Sequence, residues 1–326
     1  MLVLSAAEVE ALLDLDALVD AVEAAMIDLS ASRVSMPPRV AALVPEQEAL
    51  LAAMPAYLPS AGALSAKLVT LFPRNRDCPT HQALICCFDP ATGTPVALMD
   101  GTSVTAARTA AGSALATRLL ARPGASQVTV IGTGVQAGVH ARALARLPGV
   151  STIRIAGRDL GKAQALAAEL AAAGIPAQAA GSVEDAVRSA DIVCATTHAA
   201  RPVLRRDWLR PGTHINSVGY NTSGEGELDT ATIKDALLVV ESRASALAPP
   251  PSGAVELNRA IEAHAIDASH VAAEIGEIAA GAVPGRTSDT QLTLYKSVGV
   301  AVQDAAAAAL ILATAQQRGA GTLVTI

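Results

Sequence analysis

Three cations in the chain stand among neighbours that do not suit them. Arg39 follows Met36-Pro37-Pro38, a rigid extended segment. Lys67 interrupts the apolar run from Leu64 to Leu71, and Arg108 is alone among the small residues from Val104 to Ala111. A cation in apolar company needs an anionic partner. Two readings are open for each: a protein carboxylate completing a structural ion pair, or the carboxylate of a small ligand, which arginine can grip bidentately. A buried lysine can also have a lowered pKa, which makes Lys67 a candidate for proton transfer.

The second chemical signal is a loop. The hydrophobic strand Val128 to Ile131 is followed by Gly132-Thr133-Gly134-Val135-Gln136-Ala137 and then by a helical pattern. In such a unit the first glycine permits a tight turn and the second lets backbone approach a pyrophosphate. The alanine keeps helix and strand close, and the helix N-terminus offers free N–H groups. Gly132, Thr133, Gly134, Val135 and Gln136 therefore read as a dinucleotide loop. The end of the next strand discriminates between dinucleotides. Ile153-Arg154-Ile155-Ala156 runs into Gly157-Arg158-Asp159. Arg158 suits the 2′-phosphate of NADP(H), the favoured cofactor here, while Asp159 keeps NAD(H) open because an acid there can hold a ribose hydroxyl. Arg158 as a solvated loop residue is the remaining alternative. The histidines form no HxxxH or HExxH pattern and no serine elbow is present, so neither a metal site nor a triad is expected.

These residues need elements to hold them. Ser5-Ala6-Ala7-Glu8 is a capping box, and a second helix starting near Asp14 or Asp16 puts Leu15, Leu18, Val19, Val22, Met26 and Leu29 on one face. From Met36 to Met99 short strands punctuated by Pro and Gly are expected, with candidates at Leu64–Leu71, Ala83–Phe88 and Pro95–Met99, then an Ala-rich helix from about Thr102 to Ala121, ended by Arg122-Pro123-Gly124. Beyond it strands alternate with helices: Gln127–Ile131, Thr152–Ala156, Ile192–Ala195, His214–Val218 and Leu237–Val240 are the strands, as in a parallel sheet wrapped by helices. A helix from about Gly299 to Gln317 ends the chain. The fold class is thus α/β, with a dinucleotide-binding domain of Rossmann type over residues 122–300.

Composition narrows the function. Hydrophobic residues make up 51% of the 326 and charged residues 17%, enough apolar material for large cores. Aromatics are only 2%, and the net charge is -6 with no basic stripe. No nucleic-acid partner is expected. Cys78, Cys86, Cys87 and Cys194 read as buried thiols of a reducing compartment. The N-terminus has no basic region before Glu8 and Glu10, and no apolar run is long enough to span a bilayer, so a cytoplasmic protein without membrane contact is expected.

Taken together, the chain resembles the ornithine cyclodeaminase/mu-crystallin family over nearly its whole length. The resemblance is carried by Met36-Pro-Pro-Arg39, by Lys67 followed by Pro73-Arg-Asn75, and by Asp100-Gly-Thr-Ser-Val-Thr-Ala-Ala-Arg108-Thr-Ala-Ala-Gly-Ser113. It continues through Ile131 to Ala137, Pro211-Gly-Thr-His-Ile-Asn-Ser-Val-Gly219, Pro284-Gly-Arg286 and Leu294-Tyr-Lys-Ser-Val-Gly299. It implies an α+β substrate and dimerisation domain built from residues 1–121 and 301–326. It also implies a homodimer or larger even assembly, with Arg39, Lys67 and Arg108 on the substrate carboxylate. Thr109 and Val298 would join the cofactor-binding residues, the Ser297-Val298-Gly299 turn lying near the nicotinamide. Family members differ in reaction: some convert ornithine to proline with recycled NAD, others are ketimine reductases or alanine dehydrogenases, and mu-crystallin also binds thyroid hormone.

One stretch departs from the cyclodeaminases, which share Gly-x-Asp-x-x-Gly-Lys after the Val-Gly pair. Here it reads Gly219-Tyr220-Asn221-Thr222-Ser223-Gly224-Glu225, with Asn221 for the acid and Glu225 for the lysine. An amide takes up no proton and neutralises no side-chain amine. Asn221 as a mere turn residue is the other reading. The expected function is NAD(P)-dependent reduction of a small imino acid, or amino-acid dehydrogenation in reverse, with Lys67 and Arg108 catalytic and Arg39, Lys67, Arg108 and Asn221 binding substrate. A cyclodeaminase-type lyase and an NADPH-dependent ligand binder are the alternatives.

Overall fold

The computed structural model describes residues 1–219, 224–250 and 252–325. It divides into two compact units, Met1–Arg108 with Gly299–Ile326, and Thr109–Val298. The division falls inside the Ala-rich helix rather than after Ala121. Past Arg108 that helix bonds into the second unit, Thr117 to Asn216 and Ser113 to His140.

In the first unit β1 (Leu2–Leu4) leads into α1 (Ala6–Leu12), capped by the Ser5–Glu8 box, and α2 (Leu15–Ser30), capped by Asp14. Strands β2 (Val40–Val44), β3 (Ala49–Leu58), β4 (Ala63–Leu71), β5 (His81–Phe88) and β6 (Pro95–Asp100) follow, then α3 (Gly101–Leu120). With the terminal strand Thr322–Leu323 they form one sheet, ordered terminal strand, β1, β6, β5, β4, β3, β2. Its inner face packs on the final helix, Ala301–Arg318, which in turn packs on α2.

Strands β2 and β3 lie in the stretch expected to form short strands but have no individual candidates, because their Ala-rich sequences, with Pro55 in β3, carry weak strand propensity. Pro55 is tolerated because β2 pairs with β3 only as far as Ala53 and the next bridge on that side is Ser35 to Tyr57, so Pro55 falls in a gap of the ladder. The cysteine expectation also needs correction. Cys87 and Cys194 are buried, but Cys78 is exposed in the loop before β5, and Cys86 is only half-buried because the pleat of β5 turns it to the face opposite Cys87.

The second unit begins with β7 (Gln127–Ile131), α4 (Val135–Ala145), β8 (Thr152–Ala156), α5 (Leu160–Ala172) and β9 (Ala177–Ala179). It continues through β10 (Ile192–Ala195), β11 (His214–Ser217), β12 (Leu237–Val240), β13 (Val271–Glu274) and β14 (Thr293–Lys296). All eight strands pair in parallel in the order β13-β12-β14-β11-β10-β7-β8-β9. Strand order reverses beside β7, the switch point of a doubly wound sheet, where ligands bind outside the strand ends. Among the described residues no helix is long and apolar enough to cross a membrane.

Candidate functional site

In the first unit, strand pairing fixes Lys67. It lies in the middle of β4 between Met54 and Ile85, and alternation turns it inward with Ala63 and Ser65. Arg108 reaches in from α3, and both meet a residue the sequence reading passed over. Asp304, in the first turn of the final helix, takes Lys67 Nζ at 2.7 Å on Oδ2 and Arg108 Nε at 2.9 Å on Oδ1. All three side chains are at most 5% exposed. Lys67 also lies 3.4 Å from the Thr105 hydroxyl. Arg39, half-buried, donates to the Gly299 carbonyl at 2.6 Å.

Charge here is unevenly matched, since Asp304 alone pairs with both Lys67 and Arg108. Burial brings the Lys67 ammonium down to a pKa of about 8; Asp304 opposes this, while Arg108 and Arg39 add to it. Burial pushes the Asp304 carboxyl up, yet Arg108 and Lys67 prevail and hold it below the ordinary value. Gly299 has φ +75°, and a Cβ there would come within 2.8 Å of both terminal nitrogens of Arg108. The glycine thus makes room for the guanidinium.

In the second unit the loop after β7 has the features its sequence promised. Gly132 has φ +133°, donates to the Ala156 carbonyl at 2.8 Å, and would set a Cβ 2.5 Å from the Thr196 hydroxyl. Gly134 is the N-cap of α4 without a side-chain cap, and a Cβ there would meet nothing within 4 Å. The first N–H groups of α4 therefore have no competing side-chain acceptor. Val135 is 71% exposed in front of them, and the buried Gln136 Oε1 has no partner among the described residues. An open glycine cradle, uncapped donors and an orphaned acceptor fit a dinucleotide.

At the end of β8, Asp159 is spent on capping α5, accepting from Lys162 N at 3.1 Å. Arg158 is exposed, with no ion pair or hydrogen bond among the described residues. Thr109 is buried in α3. Val298 is held by Glu241, whose buried carboxylate accepts from Ser297 Oγ and Val298 N, each at 2.8 Å.

A further buried group lies under the ends of β11 and β14. Lys296 pairs with Glu256 at 2.9 Å and donates to Ser217 Oγ and the Gly219 carbonyl. Glu227 accepts from Thr197 N, Gly219 N and Ser217 Oγ. Burial raises its pKa, although Lys296 and the Thr197 bonds oppose the shift. Asn221 lies outside the described residues. Sequence reasoning missed Glu227, Glu241, Glu256 and Lys296 along with Asp304; the available signal was a lone charge inside an apolar element, as at Lys296 and Asp304. Among the described residues no group of three or more His, Cys, Asp or Glu is placed to hold a metal.

The ornithine cyclodeaminase/mu-crystallin family matches residues 1–319 of the chain. Ketimine reductase mu-crystallin of Mus musculus is 36% identical over 299 residues, covering 90% of each chain. Thermococcus litoralis Delta(1)-pyrroline-2-carboxylate reductase, solved with NADH and L-proline, is similar with a TM-score of 0.94 and 35% identity over 99% of this chain and 100% of that one. An archaeal alanine dehydrogenase dimer with bound NAD is similar with a TM-score of 0.92 and 34% identity, over 100% of this chain and 99% of that one.

Proposed function

The chain belongs to the ornithine cyclodeaminase/mu-crystallin family, and from that premise we propose that it is an NAD(P)-dependent oxidoreductase moving hydride to or from the α-carbon of a small imino or amino acid. The observation that carries this reading is the buried group of Lys67, Arg108 and Asp304, in which two desolvated cations share one carboxylate. Such a group attracts a second anion. A substrate carboxylate is the ligand of that kind common to imino and amino acids.

Arg108, Lys67 and Arg39 take the carboxylate in this scheme and fix the orientation of the carbon that reacts. In the reductive direction the imine carbon gains hydride and the nitrogen gains a proton, so C=N becomes CH–NH. A nicotinamide dinucleotide, when bound, supplies the hydride. The proton on nitrogen comes from Lys67 Nζ, whose pKa of about 8 suits transfer near neutral pH. Gly132, Thr133, Gly134, Val135 and Gln136 hold the dinucleotide together with Thr109 and Val298. The solved relatives hold NADH and NAD, so the preference for NADP(H) rests on Arg158 and on the commitment of Asp159 to its cap. Substrate contact by Asn221 rests on the sequence alone.

The protein acts as a homodimer or larger even assembly on this reading, supported by an exposed apolar face on the first unit's sheet. The registered row Val40, Ala53, Leu68 and Leu84 lies on that face, with Val40 66% and Leu84 48% exposed. The test is a screen of cyclic imino acids, 2-oxo acids with ammonia, and amino acids, each with NADH, NADPH or their oxidised forms. Dinucleotide absorbance and ammonia are read together, for wild type and Arg158→Ala. Dinucleotide turnover with imino or amino acids is expected, with NADPH favoured by wild type and not by the variant. Ammonia release from ornithine without net dinucleotide change would replace this reading with the lyase.

A further inference from the structure

We propose that Gln303 is a substrate-recognising residue whose side-chain NH2 donates to the substrate carboxylate beside Arg108. The inference rests on reading Arg39, Lys67 and Arg108 as a carboxylate site, and it adds a neutral donor to that site. Gln303 stands in the first turn of the final helix, next to Asp304, and is fully buried. Its Oε1 accepts from Arg108 Nη1 at 3.2 Å and lies 3.5 Å from Val300 N. Both neighbours are donors, so the amide has one sensible orientation. Turning it over would set NH2 against two N–H groups. The NH2 therefore faces the other way, and there Nε2 has no acceptor among the described residues.

A buried donor without an acceptor is a standing cost that a ligand acceptor relieves. The site around it is rich in donors, for Lys67, Arg108 and Arg39 bring ammonium and guanidinium groups, while Asp304 supplies both oxygens to Lys67 and Arg108. A carboxylate has two oxygens and several lone pairs, enough to satisfy Arg108 and Gln303 together. Because the amide carries no charge, it adds grip without further repulsion among the cations already gathered there. The same oxygen that steadies Arg108 leaves the NH2 free to bind, so one side chain positions the guanidinium and reads the ligand.

The test is calorimetric titration of the dinucleotide-loaded protein with pyrrole-2-carboxylate, a planar carboxylate, using wild type, Gln303→Glu, Gln303→Met and Arg108→Ala. Gln303→Glu keeps size and the oxygen toward Arg108 but loses the donor; Gln303→Met loses both without adding charge. At least about tenfold weaker binding is expected in both Gln303 variants, with unchanged dinucleotide affinity. Normal binding by Gln303→Glu beside weak binding by Gln303→Met would reduce Gln303 to a support for Arg108 and overturn the proposal. Normal binding by Gln303→Met would overturn it as well, since any loss in Gln303→Glu would then be charge repulsion. If wild type binds no carboxylate, or Arg108→Ala binds it as well as wild type, the carboxylate reading itself falls and this inference with it.

Discussion

Asp304 holds a different cation on each of its oxygens, Lys67 on one and Arg108 on the other, with all three groups out of water. Buried ion pairs are weak evidence for stability, because desolvation offsets much of the attraction. Cations kept desolvated and fixed in place are better explained by a ligand that uses them. Arg108→Ala should therefore lower kcat/KM by a loss of roughly 2–5 kcal/mol, about thirtyfold to several-thousandfold. Steady-state kinetics together with dinucleotide titration check this, and dinucleotide affinity should hold. A variant that melts early yet turns over normally when folded would show a purely structural pair. Lys67 carries a second expectation. With its pKa brought down to about 8 by burial, it loses its proton as pH rises through that value, and the pull on an anionic ligand fades. Carboxylate affinity in the dinucleotide complex should be level below about pH 8 and weaken above it. Lys67→Met should bind weakly at every pH, without that alkaline fall.

At the scale of elements, α4 ties the glycine loop after β7 to α3 through His140. The ring is fully buried, with Nδ1 2.7 Å from the Gln136 carbonyl and Nε2 3.0 Å from Ser113 Oγ. The carbonyl can only accept, so Nδ1 carries the hydrogen and Nε2 accepts from the serine. Burial lowers the His140 pKa from 6.5 to about 4, against the opposing bond to Gln136. Between those values the unfolded chain binds a proton that the folded chain refuses, so stability is fully present above about pH 6.5 and falls as pH drops toward 4. His214 in β11, lowered to about 3, acts in the same direction. The His140 contribution to this loss is on the order of 3 kcal/mol. His140→Gln should flatten the acid limb of a denaturant-melt series over that pH range, and an unaltered limb would assign the acid sensitivity elsewhere.

For the molecule as a whole, the first unit's sheet has two unlike faces. Its inner face carries Lys67 and packs on the final helix, while Leu51, Tyr57, Leu68 and Leu84 remain exposed on the other. Monomeric proteins rarely leave contiguous apolar surface of this kind uncovered, and a two-fold pairing would cover it. Light scattering should give an even oligomeric mass. Leu68→Glu, in register with Ala53 and Leu84, should shift that mass toward the monomer without loss of secondary structure. A monomeric wild type at working concentration would sink the expectation.

The sequence by itself determined the strand–glycine–helix turn after β7, because strand, glycines and helix start are contiguous and their roles are local. It also determined the parallel strand–helix alternation and marked Arg39, Lys67 and Arg108 as cations in the wrong company. Tertiary structure alone decided what answers them. Asp304 stands far along the chain from both Lys67 and Arg108, and nothing in an Ala-rich helix announces which strand it will face. The orphaned NH2 of Gln303, whose Oε1 is taken by Arg108 from a distant helix, was hidden for the same reason. Pairing across long stretches of chain is set by packing and register, and local propensity carries no record of either.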